Sequence, residues 1–191
     1  MSSLIAPTAP VSRKRGTADP TLAQEDLDRL LQNVDKPARY IGGELNSIVK
    51  PQPVRCRTAL CFPDVYEVAE SHIGLKILYE IINRREDFAA ERVYALWPDL
   101  EDKATQMGIP IWSLETHRPL SAFDVIGFTL QYELSYATLV GMLQHGGIPT
   151  RSAHRSDTDS YVIGGGAGAF NAEPIAPFFD AFLLGDGERP S

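Results

Sequence analysis

The sequence predicts an α/β fold, a doubly wound and mostly parallel sheet with an N-terminal helical extension. From Val54 onward, short apolar runs alternate with stretches of helical periodicity, which is the pattern of repeated βαβ units. The run at 123–131 is almost entirely apolar, as expected of a strand that is buried on both faces. Gly108 and Gly146 follow two of the helical stretches, where glycines commonly end helices, so each predicted helix ends before the next predicted strand or loop begins.

The extension divides into a tail, a helix and an arm. Residues 1–19 are rich in Ala, Pro, Ser and Thr, a composition that predicts a disordered tail. A helix is predicted to begin at residue 20, with Thr21 and Gln24 forming a capping box. The stretch 36–53 shows no period, and we expect it to form an ordered arm. The predicted boundaries are 1–19 for the tail, 20–53 for the helix and arm, and 54–191 for the α/β domain.

Five or six parallel strands are expected in the domain. They are predicted at 57–62, 91–97, 109–115 (a short strand or an edge segment), 123–131, 161–168 and 180–188. Ser71 is the predicted cap of a helix at 72–85, in which Ile73, Ile77, Leu78, Ile81 and Ile82 recur at helical spacing. Further helices are predicted at 98–108 and 136–145, and 148–160 is expected to be a polar surface loop.

A site is predicted at the carboxyl ends of the strands, where open parallel sheets bind their ligands. Four loops end there, at 63–71, 129–135, 164–171 and 185–188. Glycines at 164–166 would let the backbone approach a flat or anionic ligand closely, or would serve only a tight turn. The candidate cofactor-binding residues in these loops are Asp64, Tyr66, Ser71, Thr129, Gln131, Ser135, Gly164, Gly165 and Gly166.

Composition and spacing disfavour several other functions. The formal charge of −7 and the pI of about 5.1 argue against broad nucleic-acid binding. Cys56 and Cys61 are expected to be two buried, reduced thiols, and we assign no catalytic residue and no metal ligand. The absence of an apolar run of about 20 residues and of a secretion signal predicts a cytoplasmic protein without a membrane partner. Thr129 and Gln131 stand where a phospho-receiver domain would need an Asp.

Six segments in the same order carry a resemblance to a known family. They lie between Lys36 and Glu188 and read KPARYIGGELNS, FPDVYEVAESHIGLKILYEIIN, ERVYALWPDLE, FDVIGFTLQYELSYATLVGML, IGGGAGAFNAEP and FDAFLLGDGE. Together they resemble the N-terminal part of a bacterial radical S-adenosylmethionine (SAM) protein family that carries a cobalamin-binding-type domain.

This resemblance implies a flavodoxin-like or Rossmann-like domain that binds cobalamin. In full-length members it is followed by a barrel whose three cysteines, spaced C-x3-C-x2-C, hold an iron–sulfur cluster that cleaves SAM. The present chain has no such triplet. We therefore expect a truncated chain that is inactive by itself, with the cluster, SAM and the partner barrel all belonging to the missing domain.

The resemblance departs from the common cobalamin motif at the first loop. Many cobalamin proteins carry D-x-H-x-x-G there, whereas this sequence reads Glu70-Ser71-His72-Ile73-Gly74. We expect any cobalamin to be held without a nitrogen ligand from His72. Two alternatives remain: the same fold without a corrinoid, serving as an interaction or structural domain for the barrel, and a small-molecule enzyme that uses a flavin or nucleotide. The last is disfavoured because no phosphate-binding loop is visible.

Overall fold

The computed structural model describes residues 21–50 and 53–185. Five strands in these ranges form one all-parallel sheet in the order β2-β1-β3-β4-β5, which confirms the predicted doubly wound α/β fold. The strands are β1 Cys56–Phe62, β2 Phe88–Tyr94, β3 Val125–Thr129, β4 Tyr161–Gly165 and β5 Ala181–Leu183. The α-helices are α1 Gln24–Leu31, α2 Tyr66–Glu70, α3 Ile73–Asn83, α4 Pro98–Met107 and α5 Tyr136–His145. The predicted tail and residues 186–188 of the last predicted loop lie outside the described residues.

Helices lie on both faces of the sheet, because alternate strand residues point to opposite sides. On one face, Leu75 and Tyr79 of α3 pack against Leu60 of β1 and Ala90 of β2. The other face carries α5 and the short 3-10 turns that follow β4. Its core contains Ala59, Cys61, Ile126, Phe128, Leu139, Leu143, Val162 and Phe179. Helix α4 is joined to α1 through a separate apolar cluster.

The extension begins differently from the prediction. Helix α1 starts at Gln24, its N-cap is Ala23, and no side chain caps it, so the predicted capping box is wrong. The backbone amide of Leu22 donates to the carbonyl of His117 at 2.8 Å. This tertiary hydrogen bond fixes the backbone at Leu22, and the helix begins after Ala23 without a cap from the Thr21 side chain.

The first loop also differs from the prediction. It contains α2, and Ser71 does not cap α3, because its hydroxyl donates to the carbonyl of Val68 at 2.7 Å at the end of α2. The cap of α3 is His72, whose Nδ1 accepts from the amide of Leu75 at 3.0 Å. A histidine ring can supply the acceptor that an N-terminal helical turn needs, so the cap lies one residue later.

Two predicted strands need correction. Strand β2 begins at Phe88 and ends at Tyr94, three residues earlier than predicted at each end. The segment 109–115 is not a strand and forms only an isolated antiparallel bridge between Trp112 and Pro119. Its amides bond to scattered partners, such as Leu114 to the carbonyl of Arg92 at 2.9 Å, so no ladder develops.

The described part of the arm, residues 36–50, packs against the domain. The amide of Ile48 donates to the Tyr79 hydroxyl at 2.7 Å. Gly42 has φ +67°, and a Cβ at this position would come within 2.2 Å of the Leu114 carbonyl oxygen. Only a glycine permits both that backbone conformation and that close approach.

Candidate functional site at the carboxyl edge of the sheet

The predicted site lies where the carboxyl ends of the central strands meet. Thr129 pairs with Gly165 in the register of β3 and β4, and Asp64 follows the end of β1. All three residues therefore lie at the same edge, as predicted. The strand order reverses the direction of winding between β1 and β3, which is the switch point where such sheets bind ligands.

A hydrogen bond links the two loops at the switch point. The Tyr132 hydroxyl donates to Oδ2 of Asp64 at 2.6 Å, and Oδ1 of Asp64 accepts from the amide of Val65 at 2.8 Å. The hydrogen bond to Asp64 raises the pKa of Tyr132, because it stabilises the protonated hydroxyl. The loops after β1 and β3 are thus fastened to each other across the crevice between the strands.

The glycine run is closely packed by its own surroundings. A Cβ at Gly164 would come within 2.9 Å of the Phe182 ring, and one at Gly166 would come within 2.9 Å of the Leu130 carbonyl oxygen. Gly166 also has φ +97°, which other residues rarely adopt. These contacts account for Gly164 and Gly166, whereas a Cβ at Gly165 would come no closer than 3.8 Å to its neighbours. Contact of the three glycines with a ligand remains a prediction.

Of the other predicted site residues, Gln131 lies at the carboxyl edge, whereas the hydroxyls of Ser135 and Ser71 are bonded to backbone carbonyls within their own loops. Gln131 is half-buried beside Gly166 and shares the carboxyl edge with Asp64 and Thr129. Ser135 is buried and its hydroxyl donates to the Tyr132 carbonyl at 2.8 Å, while the exposed Ser71 is bonded to Val68 as described above.

Tyr66 turns away from the switch point. Its hydroxyl donates to Oε1 of Glu44 in the arm at 3.2 Å, and its ring packs against that of Tyr94. Burial raises the pKa of Tyr66 to about 12. Tyr66 therefore belongs to the contact between the arm and the α3 side of the sheet.

Sequence reasoning missed an apolar rim at this edge, which we define as Val68, Tyr132, Leu134, Phe170 and Leu184. All five side chains are exposed, with Leu134 at 87% and Phe170 at 73%. They come from the loops after β1, β3, β4 and β5, so the rim follows the edge of the sheet. A signal was present in the sequence, since large apolar residues occur inside otherwise polar predicted loops.

The arm binds to the first loop beside the rim. Both Nη2 and Nε of Arg39 donate to Oε1 of Glu67, at 2.7 and 2.9 Å, and the guanidinium lies 4.9 Å from the centre of the Trp97 ring. The hydrogen bond from Arg39 lowers the pKa of Glu67. The arm is thereby held to the loops that follow β1 and β2.

A buried cluster of charged side chains surrounds Arg92 of β2, and the sequence analysis did not predict it. Arg92 in β2 contacts three carboxylates, from Glu115 at 2.7 Å, Glu44 at 3.2 Å and Glu70. Glu115 is fully buried, and this burial raises its pKa although Arg92 acts in the opposite direction. We call these four residues the Arg92 cluster. It joins the arm, α2 and the 109–119 segment to one strand.

The environment of His72 bears on metal binding. Its Nδ1 accepts the hydrogen bond from Leu75, so a neutral ring carries its proton on Nε2. The ring also packs 5.1 Å from that of Phe62. A neutral imidazole in this arrangement has no lone pair to offer a metal.

Two further observations concern metal-ligating groups and thiols in the described ranges. Within residues 21–50 and 53–185, no three His, Cys, Asp or Glu side chains are grouped to hold a metal ion. Cys61 is buried, and burial raises its pKa, whereas Cys56 is only half-buried. The expectation of two buried thiols is therefore correct for one of them. No helix in the same part of the chain is long and apolar enough to cross a bilayer.

The fold is that of a doubly wound α/β domain, and its candidate site lies at the carboxyl ends of the strands. The chain belongs to the family described as radical SAM proteins, N-terminal, whose sequence model matches residues 74–191. Comparison with curated proteins found no match. The family part of the resemblance is thus shown, and the nature of any cofactor is a separate question.

Proposed function

We propose that the carboxyl edge of this radical SAM N-terminal domain binds a cobalamin whose corrin ring lies on the apolar rim. The observation that carries the proposal is the rim itself. Large exposed apolar patches on folded domains mark ligand or partner sites. Here five exposed apolar side chains stand in the segments that follow the strands at the carboxyl edge, and Val68, Tyr132 and Leu134 belong to the two loops at the switch point, where such sheets bind their ligands.

The residues present fit cobalamin binding through contact with the corrin face, and they do not fit binding through a histidine ligand to cobalt. A corrin presents a flat, largely apolar face, which suits Leu134 and Phe170, and polar groups at its edge would meet Thr129 and Gln131. His72 does not fit the role of cobalt ligand, because its Nδ1 is used by the helix cap. When bound, cobalamin would supply a cobalt centre able to carry an alkyl group.

A partner domain completes the proposal. We propose that a radical SAM barrel, which would hold the iron–sulfur cluster and SAM, forms the opposite wall of the site. The lone domain should then bind cobalamin weakly, because half of the ring would stay exposed to water.

A second candidate function uses the same edge without a corrinoid. In it, the rim is the surface on which the barrel docks directly. The observation that favours this reading is the closed crevice: the bond between Tyr132 and Asp64 spans it, and Leu130 lies against Gly166 and Gly168. The flavin or nucleotide enzyme receives no comparable support.

Titration of hydroxocobalamin into the full chain, followed by visible absorption, distinguishes the two candidates. We expect a saturable spectral change, and we expect Leu134→Ser to weaken binding by about tenfold or more, because it removes one large apolar contact. Met107→Ser is the matched control, since Met107 is an exposed apolar residue on α4. No saturable change with a folded chain at hydroxocobalamin concentrations up to about 1 mM, which covers weak binding, would reject cobalamin binding and leave the second candidate.

His72→Ala tests the absence of a histidine ligand. Reduced cobinamide, which lacks the cofactor's own nitrogen base, would be added to the unsubstituted chain and to the variant, with electron paramagnetic resonance as the readout. We expect no nitrogen hyperfine coupling in either protein and similar affinity in both. The variant should be less stable by about 1 kcal/mol, because it loses a helix cap.

The exposed His154 supplies the control variant, His154→Ala. Nitrogen coupling that is present in the unsubstituted chain and in this control, but absent from His72→Ala, would identify His72 as the ligand and contradict the proposed mode.

A further inference from the structure

The hydrogen bond between Tyr132 and Asp64 lies at the mouth of the candidate site. Its two residues come from the loops after β1 and β3, which are neighbouring strands on either side of the switch point. While the bond is formed, the Tyr132 side chain bridges the crevice between these loops, and Oδ2 of Asp64 is occupied by the hydroxyl. A ligand that enters the crevice must therefore meet this bond first.

Asp64 is held in place by backbone contacts that do not involve Tyr132. Its amide donates to the carbonyl of Phe62 at 2.8 Å, and its carbonyl accepts from the amide of Ala95 at 3.0 Å. Its Oδ1 accepts from the amide of Val65 at 2.8 Å, which fixes the direction of the carboxylate. Oδ2 would therefore keep its position if the Tyr132 hydroxyl moved away, and it would become a preorganised acceptor.

Tyr132 is anchored through its backbone and not through its ring. On one side, the amide of Leu130 donates to the carbonyl of Gly165 at 2.7 Å, and on the other, the Ser135 hydroxyl donates to the Tyr132 carbonyl at 2.8 Å. The residue is 41% exposed, so its side chain has solvent into which it can turn. A change of rotamer therefore opens the bond to Asp64 while the backbone anchors stay formed.

We propose that Tyr132 is a latch over Asp64, and that a bound ligand replaces the Tyr132 hydroxyl with a hydrogen-bond donor of its own. The inference rests on the proposed function and adds one specific contact to it. The ligand class is a molecule with an apolar face for the rim and N–H or O–H groups at its edge. The carboxamide side chains of a corrin ring belong to this class, whereas a carboxylate at that position would be repelled by Asp64.

The two partners of the latch should affect binding in opposite directions. Only molecules in which the latch is open can bind, so the apparent affinity is lowered by the fraction of open molecules. Loss of the Tyr132 hydroxyl leaves the latch permanently open and keeps the acceptor, which should strengthen binding. Loss of the carboxylate of Asp64 also opens the latch, but it removes the acceptor that the ligand needs, so binding should gain nothing.

Titration of hydroxocobalamin into the full chain and three variants tests the latch, with circular dichroism to verify folding. Tyr132→Phe keeps the ring in the apolar rim and removes the hydroxyl, so the dissociation constant should fall by about five- to tenfold. Asp64→Asn should bind no more tightly than the unsubstituted chain. Tyr161→Phe is the matched control and should leave the affinity unchanged, because Tyr161 is an exposed tyrosine at the amino end of β4.

A measurement without ligand separates failure of the latch from failure of cobalamin binding. The bond to Asp64 raises the pKa of Tyr132, so this phenol should ionise at lower pH in Asp64→Asn, as followed by ultraviolet absorption with the matching Tyr132→Phe proteins as blanks. Ionisation at the same pH would overturn the latch whatever the result with cobalamin. Unchanged affinity in Tyr132→Phe, or equal tightening in Asp64→Asn, would overturn it too. No saturable change in any of the four proteins would reject the proposed function, and with it the ligand contact at Asp64.

Discussion

Arg92→Met is expected to lower the free energy of unfolding by about 3–5 kcal/mol, because it leaves buried carboxylates without their cation. The Arg92 side chain is 5% exposed, and it contacts the carboxylates of Glu115, Glu44 and Glu70 on three different segments. Among the cations of the described residues, Lys76 would remain beside them, 3.3 Å from Glu70. Urea unfolding at neutral pH measures the loss. Arg84→Met is the matched control, since that arginine forms an exposed pair with Glu80 and should cost about 0.5 kcal/mol or less.

The cost of Arg92→Met should also depend on pH. Burial already raises the pKa of Glu115 in the folded state, and loss of the opposing guanidinium raises it further. The folded variant then binds a proton more readily than the unfolded chain does, so its stability increases as the pH falls through the raised pKa. The difference between variant and unsubstituted chain should therefore be largest near neutral pH and smaller in mild acid. An equal difference at both pH values would contradict this account of the cluster.

Gly42→Ala is expected to cost about 3–4 kcal/mol, whereas Gly43→Ala should cost about 1–2 kcal/mol. Both glycines have positive φ, +67° and +84°, so an alanine at either position is strained by the left-handed conformation. Only at Gly42 would the new Cβ collide with backbone, 2.2 Å from the Leu114 carbonyl oxygen. The adjacent glycine, with no atom within 4 Å of its Cβ position, therefore isolates the effect of the collision.

Unfolding by urea measures the two losses, and hydrogen exchange at the amide of Ile48 reports whether the arm stays docked. We expect faster exchange there in Gly42→Ala than in Gly43→Ala. Equal stability and equal exchange in the two variants would mean that the arm shifts at no cost, and that its contact with the 109–119 segment is not important for stability.

The family match and the folded unit have different starting points. The match begins at Gly74, yet β1 lies before it and is an interior strand of the sheet, paired with both β2 and β3. The arm also precedes the match, and Glu44 reaches Arg92 within it. The N-terminal residues are thus integral to the described sheet and its charge cluster.

The sequence alone determined the fold class and the edge that carries the candidate site. Runs such as 123–131 are apolar because strands of a parallel sheet are buried on both faces, and Gly108 ends α4 in the left-handed conformation that favours glycine. Parallel strands place their carboxyl ends together, so Thr129 and Gly165 could be assigned to one edge without coordinates.

Only the tertiary structure decided which side chains meet at that edge and which are left exposed. Asp64 and Tyr132 are 68 positions apart, and Glu44 and Arg92 are 48 apart, so no local pattern pairs them. Periodicity identified the isoleucines of α3 but not which neighbours cover them, because spacing gives the direction of a side chain and not the presence of a partner layer. The apolar rim therefore followed from packing between segments distant in the sequence, whereas the capping of α3 by His72 is a local contact that the residue types did not indicate.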